Sequence, residues 1–313
     1  MPANGNGVRP AAHEEQPGAA APQAVAGQQP PAVPGPQMEL APFALTPQQQ
    51  QLVDQILAKW EKESERVGTF VCDFTRWEID PVFGPKENEY LITEANGTIK
   101  YKSPDRGEYD VAKLTRWDKQ KAGYVSDEIG CERWMCDGKA IYEWDRKNKL
   151  LKVRMLPDDL KGKSIADGPL PFVFGAKAEQ LKRRYWLRDI TPQQLIGKQI
   201  WLDARPKFQQ DAANFQRATV VLNEKTFLPE ALQLFPPGIA PAPGKPEAYT
   251  AFGFRPPSVN NPLDQLQFLP PITLPLLWKR VVVEDPSKQP DNPLPPAGEP
   301  AQAQRPAAPA SRK

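Results

Sequence analysis

At Gly68 the hydrophobic pattern of this chain changes period, and few folds accommodate what lies on either side. Before it, Leu52, Val53, Ile56, Leu57 and Trp60 recur at helical spacing, while Lys59, Glu61, Lys62 and Glu65 turn outward. Thr46-Pro47-Gln48-Gln49 supplies an N-cap, a proline at the first helical position and a glutamine at the third, the pattern of a capping box. An amphipathic helix is therefore predicted from Thr46 to about Arg66. Beyond Gly68, Phe70, Cys72, Phe74 and Arg76 alternate with Val71, Asp73, Thr75 and Trp77 as far as Asp80-Pro81, which is the period of a strand. A one-faced helix running straight into long strands must lay its apolar stripe on a sheet.

Strand patterns recur at 90–102, with turn chemistry at Asn96-Gly97, and at 106–113, 132–146, 149–156, 185–190, 198–206, 215–222, 226–235 and 248–255. Asp137-Gly138-Lys139 reads as a hairpin turn, and Asn223-Glu224-Lys225 as another. Pro229 places its strand at an edge or a bulge. The stretch 169–185, PLPFVFGAKAEQLKRRY, carries Phe172, Val173, Leu181 and Tyr185 around Gly175 and predicts a short or broken helix across the sheet. The expected fold is mainly β, of the α+β class. It is a large curved antiparallel sheet, an unclosed half-barrel of about ten strands, covered by an N-terminal helix and a central helical lid.

Composition limits what such a body can do. Seventeen of the 38 prolines fall in residues 1–44 and 285–313, flanks too poor in apolar side chains to offset their ordering entropy. Both read as disordered tails around a folded domain at 45–284. A net charge of +2 gives no electrostatic footprint for nucleic acid. No stretch reaches the ~20 apolar residues of a membrane span, and the most apolar window, 268–278, is broken by prolines. No apolar signal segment occurs before residue 40, so the chain as written is not expected to leave by the general export route; the alternative reading is a start further upstream or a signal replaced by a Met. The single histidine, His13, lies in a flank, which excludes His-dependent triads and His-ligated zinc from the body. Cys72, Cys131 and Cys136 lack CxxC spacing and are too few for a four-cysteine zinc site. Neither metal nor cofactor is expected. Cys72 reads as inward, and either one disulfide or three thiols fits the count. Carboxylates are the remaining route to catalysis. Glu78 and Asp80 share a strand face and Asp158-Asp159 follows a proline, but both sets read as solvated, so no enzyme is expected.

The order of helix, long strand, Gly97-to-Pro104 turn, DGK-x-h-aromatic-x-aromatic-Asp segment (Asp137 to Asp145) and PLPF helix resembles the periplasmic lipoprotein carriers of the LolA/LolB type. The run F-x-x-W-E-x-D-P-V-F from Phe74 to Phe83, the segment DGPLPFVFG from Asp167 to Gly175 and the following RRYW are similar to an uncharacterised planctomycete family with that fold. The resemblance implies a non-enzymatic binding or carrier protein of the cell envelope, periplasmic or otherwise extracytoplasmic. It would hold a lipid, an acyl chain or a lipidated protein in a hydrophobic cavity, with envelope proteins as further partners. The candidate lining is the ring-bearing set Phe70, Phe74, Tyr101, Tyr142, Trp144 and Trp201, with Phe172, Val173 and Phe174 from the lid. The other reading is a structural or protein-interaction module of the envelope, in which the same rings are a filled core and no ligand is held.

Overall fold

The computed structural model describes residues 41–157, 172, 177–238, 244–268 and 273–283. The expected tails, apart from residues 41–44, and part of the expected lid, including Val173 and Phe174, lie outside the described residues. Helix α1, Pro47–Ser64, begins as its sequence dictates. The Gln49 amide donates to Thr46 Oγ1 at 3.3 Å, and the Thr46 amide donates to Gln49 Oε1 at 2.9 Å, which closes the capping box. Its buried stripe is Val53, Ile56, Leu57 and Trp60, while Leu52 lies on the margin of that stripe and is exposed.

Fourteen strands among the described residues form one sheet. They are β1 (Thr69–Ile79), β2 (Leu91–Lys102), β3 (Arg106–Asp118), β4 (Gly123–Ser126), β5 (Arg133–Asp137), β6 (Ala140–Asp145) and β7 (Leu150–Met155), then β8 (Tyr185–Asp189), β9 (Gln199–Pro206), β10 (Arg217–Asn223), β11 (Pro229–Phe235), β12 (Tyr249–Phe254), β13 (Ser258–Val259) and β14 (Lys279–Val283). Twelve of them run in the order β14-β7-β6-β5-β3-β2-β1-β12-β11-β10-β9-β8, with β4 added to β3 and β13 to β1. The two ends of this order do not pair, so the sheet is an unclosed half-barrel. Two short helices, α2 (Ala178–Arg184) and α3 (Gln209–Ala212), flank β8 and β9.

Three features depart from the sequence reading. The sheet has more strands than expected, because β4, β13 and β14 come from stretches without a long alternating pattern. β14 pairs with β7 in parallel, so the sheet is mixed rather than wholly antiparallel. Asn96-Gly97 is not a turn: β2 runs through it, and the pairing with β3 shifts register there. A turn dipeptide in mid-strand was absorbed as a bulge because both neighbours supply complete ladders. Pro229, by contrast, sits opposite a register shift between Val221 and Leu222, as its missing amide requires.

Pairing partners opposite one another share a sheet face, so the registers sort every side chain. One face carries Phe70, Cys72, Phe74 and Arg76 of β1, Ile99 and Tyr101 of β2, Tyr109 of β3, Leu232 of β11, Val220 of β10 and Leu202 of β9. The α1 stripe belongs to the same buried cluster as these residues, as do Phe172, Leu181 and Tyr185. Near β8 the chain is already ordered before α1, since the Arg188 guanidinium stacks 4.7 Å from the Phe43 ring centroid.

All three cysteines are free and buried. Burial, reinforced by the charge of Asp73, pushes the Cys72 thiol up to about 12, and burial also raises Cys131 and Cys136. Thiolate is therefore scarce at neutral pH. Ellman's reagent at pH 8 should leave all three unreacted in the native protein and label all three in denaturant. Rapid native labelling of any one would show that its strand is not packed as described.

Candidate functional site

The nine sequence candidates do not form one wall. Phe70, Phe74 and Tyr101 lie on the large buried face, 2–4% exposed, and Phe172 joins them, with its ring 5.0 Å from Tyr185 and 6.0 Å from Phe215. Tyr142 and Trp144 lie on the other face. In the β5–β6 hairpin Trp134 pairs with Glu143 and Met135 with Tyr142, so Trp134 and Tyr142 point oppositely. Tyr142 and Trp144 instead cover Ala140, Leu151 and Val153 together with Leu274, and the Arg133 guanidinium stacks 4.4 Å from Trp144. Trp201 is also on the far face, alternating with the buried Ile200 and Leu202, and its Nε1 donates to Gln199 Oε1 at 2.9 Å. Val173 and Phe174 lie outside the described residues.

What the large face does hold is a continuous row of rings. Phe254 stacks beside Phe252 at 6.2 Å, Phe252 meets Phe74 at 5.8 Å, Phe74 stacks on Tyr109 at 5.0 Å, and Tyr109 stacks on Trp134 at 6.0 Å. Phe252, Phe74 and Tyr109 are buried, whereas the terminal rings Phe254 and Trp134 are half-buried. The row crosses β12, β1, β3 and β5, and it passes over β2 only because β2 offers no side chain there. Gly97 lies opposite Phe74, and a Cβ on it would fall 2.7 Å from Phe74 Cζ and 2.2 Å from the Asp110 carbonyl oxygen. The bulge at Asn96-Gly97 and the missing side chain thus let Phe74 reach Tyr109 across an intervening strand.

Arg76, next along the same face of β1, closes one side of the row. Its Nη1 donates to Glu132 Oε2 at 2.9 Å and to Tyr109 Oη at 3.0 Å, and Glu78 Oε1 lies 3.4 Å from Nη2. Burial alone would lower its pKa, yet Tyr109, Glu132 and Glu78 hold it above its ordinary value. Burial likewise raises the Tyr109 hydroxyl, against the opposing pull of Arg76. Of the carboxylates weighed from sequence, Asp158 and Asp159 lie outside the described residues. Glu78 faces Arg76, and Asp80 lies past the strand end, where Oδ1 accepts from the amides of Val82 and Phe83 at 2.8 and 3.3 Å. Among the described residues no group of three or more His, Cys, Asp or Glu could hold a metal ion.

The sequence reading missed Tyr109, Trp134, Phe252 and Phe254 as members of this row. Phe252 and Phe254 alternate within an expected strand, and Trp134 stands beside the expected hairpin, so the types were visible but their shared face was not. Arg76 was placed correctly in phase with Phe70, Cys72 and Phe74.

Neither a family model nor a curated protein matches the sequence. Among solved structures the chain is similar to an uncharacterized conserved protein from Thermus thermophilus (8% identity, TM-score 0.37, covering 74% of this chain and 98% of that one). It is also similar to a LolA superfamily protein from Nitrosomonas europaea (9%, TM-score 0.32, 70% and 97%). A third likeness is to a putative outer membrane lipoprotein-sorting protein domain from Vibrio parahaemolyticus (11%, TM-score 0.31, 69% and 95%). At TM-scores this low the likenesses carry no argument about ligand or partner, and the architecture rests on strand order and register.

Replacing Gly97 with alanine should cost about 1–3 kcal/mol by forcing Phe74 or the β3 backbone aside. A thermal or urea melt reads this directly. An unchanged midpoint would mean that the row is loose enough to yield.

Proposed function

We propose that the protein is a non-enzymatic binding protein that shelters an acyl chain, a lipid or a lipidated peptide along the ring row. The observation that carries this reading is the row itself. It is an apolar row running across the sheet, with rings at 5.0–6.2 Å spacing, buried along its middle and half-buried at both ends. A hydrocarbon chain gains about 0.8 kcal/mol for each buried CH₂ with no directional chemistry, so such a track suffices to hold one. The sequence likeness of the Asp137–Asp145 segment to envelope lipoprotein carriers, and of the Phe74–Phe83 run to an uncharacterised family with that fold, supports the same ligand class and an extracytoplasmic site of action. No helix of the described residues is long and apolar enough to cross a membrane.

A second reading has its own support. Val53, Leu57 and Trp60 are only 1–3% exposed, so the part of the face under α1 is already filled. If filling extends along the row, the domain is an envelope scaffold that binds proteins rather than lipids.

Uptake of the neutral fluorophore N-phenyl-1-naphthylamine separates the two. The binding reading expects saturable enhancement, competed by single-chain lipids and weakened severalfold in Trp134→Ala, which trims the accessible end of the row. No enhancement in the folded wild type, together with a bare polypeptide mass in native mass spectrometry, would leave the scaffold reading.

A further inference from the structure

A buried arginine at the side of an apolar track is expensive, and its partner here is unequal to it. The Arg76 side chain is 10% exposed, whereas that of Glu132, its closest carboxylate, is 53% exposed. Glu78, the second carboxylate, is 31% exposed and more distant at 3.4 Å. Arg76 Nε is buried and has no hydrogen-bond partner among the described residues. Glu132 can return to water at little cost, while Arg76, in the middle of β1 between β2 and β12, cannot follow it. A guanidinium held this way needs a carboxylate, but not that particular carboxylate.

Resting on the binding reading above, we infer that the ligand is a single-chain carboxylic acid whose head displaces Glu132 from Arg76 while its tail lies along the rings. Arg76 holds Tyr109, whose outer neighbour in the row is the half-buried Trp134, so a head in the place of Glu132 starts its tail beside Trp134, at the partly exposed end of the row, and not among the covered rings Phe74 and Tyr109. Exchanging one carboxylate for another keeps the guanidinium paired throughout. A ligand with a neutral head would either leave Glu132 in place, blocking that end, or strand a buried charge. Selectivity against neutral heads follows from that penalty, not from any added contact.

The test compares dodecanoate with dodecanol as competitors of N-phenyl-1-naphthylamine on the full chain. Dodecanoate should compete about tenfold better than dodecanol, the scale of one charge-assisted hydrogen bond. Arg76→Met should erase that preference. Since Arg76→Met removes a buried ion-pair member and can unfold the domain, Glu132→Gln is the decisive variant. Glu132 is half-exposed, Glu78 remains to face Arg76, and removing the competing carboxylate should tighten dodecanoate severalfold. A purely structural role for the pair predicts no such gain. Equal competition by acid and alcohol, or dodecanoate binding that is unchanged or weaker in Glu132→Gln, overturns the head-group assignment and leaves hydrophobic binding standing. Failure of the fluorophore to bind at all overturns the binding reading, and this assignment falls with it.

Discussion

An 18-residue helix is about 27 Å long, whereas twelve strands hydrogen-bonded in a row span about 50 Å before curvature. The α1 stripe can therefore dry only part of the sheet's inner face, and the rest must be covered by other means. Near β8, the α2 residue Leu181 together with Phe172, Tyr185 and Phe215 adds to the cover. Toward β3 and β5 the sheet covers itself with its own rings, Phe252 tilted against Phe74 and the rings from Phe74 to Trp134 stacked on one another. That self-covering depends on one bare backbone position, Gly97, through which two strands that are not neighbours in the sheet touch side chain to side chain.

Much of the architecture was legible because local rules and global needs agreed. Thr46 and Gln49 announce the helix start, the period change at Gly68 announces the sheet, and Pro229 announces a broken register. Where they disagreed, the sheet prevailed. Asn96-Gly97 has turn chemistry, yet it lies between two complete strands whose ladders are worth more than a hairpin at that point. β14 could not be read at all, because the strand that receives it lies far upstream and nothing local encodes a parallel partner.

The candidate site was less legible, and the reason is parity. Asp137 and Ala140 flank a two-residue loop, so side chains across the β5–β6 hairpin share a face only when their numbers differ in parity. Trp134, Tyr142 and Trp144 are all even, which divides them: Trp134 goes inward and the other two outward. Ring type was visible in the sequence, but the face followed from loop length. The outward pair is not idle, for it roofs a second small core with Leu151, Val153 and Leu274 under the Arg133 guanidinium. One hairpin thus stitches together two cores on opposite sides of a single layer.

The parallel pairing of β14 with β7 has a bearing on how the chain is made. During synthesis β7 leaves the ribosome long before β14 exists, and through that interval its outer row of amides and carbonyls has no covalently linked partner. The margin at β7 therefore stays open until β14 arrives, and for that time a chaperone or a neighbouring nascent chain competes for the same place.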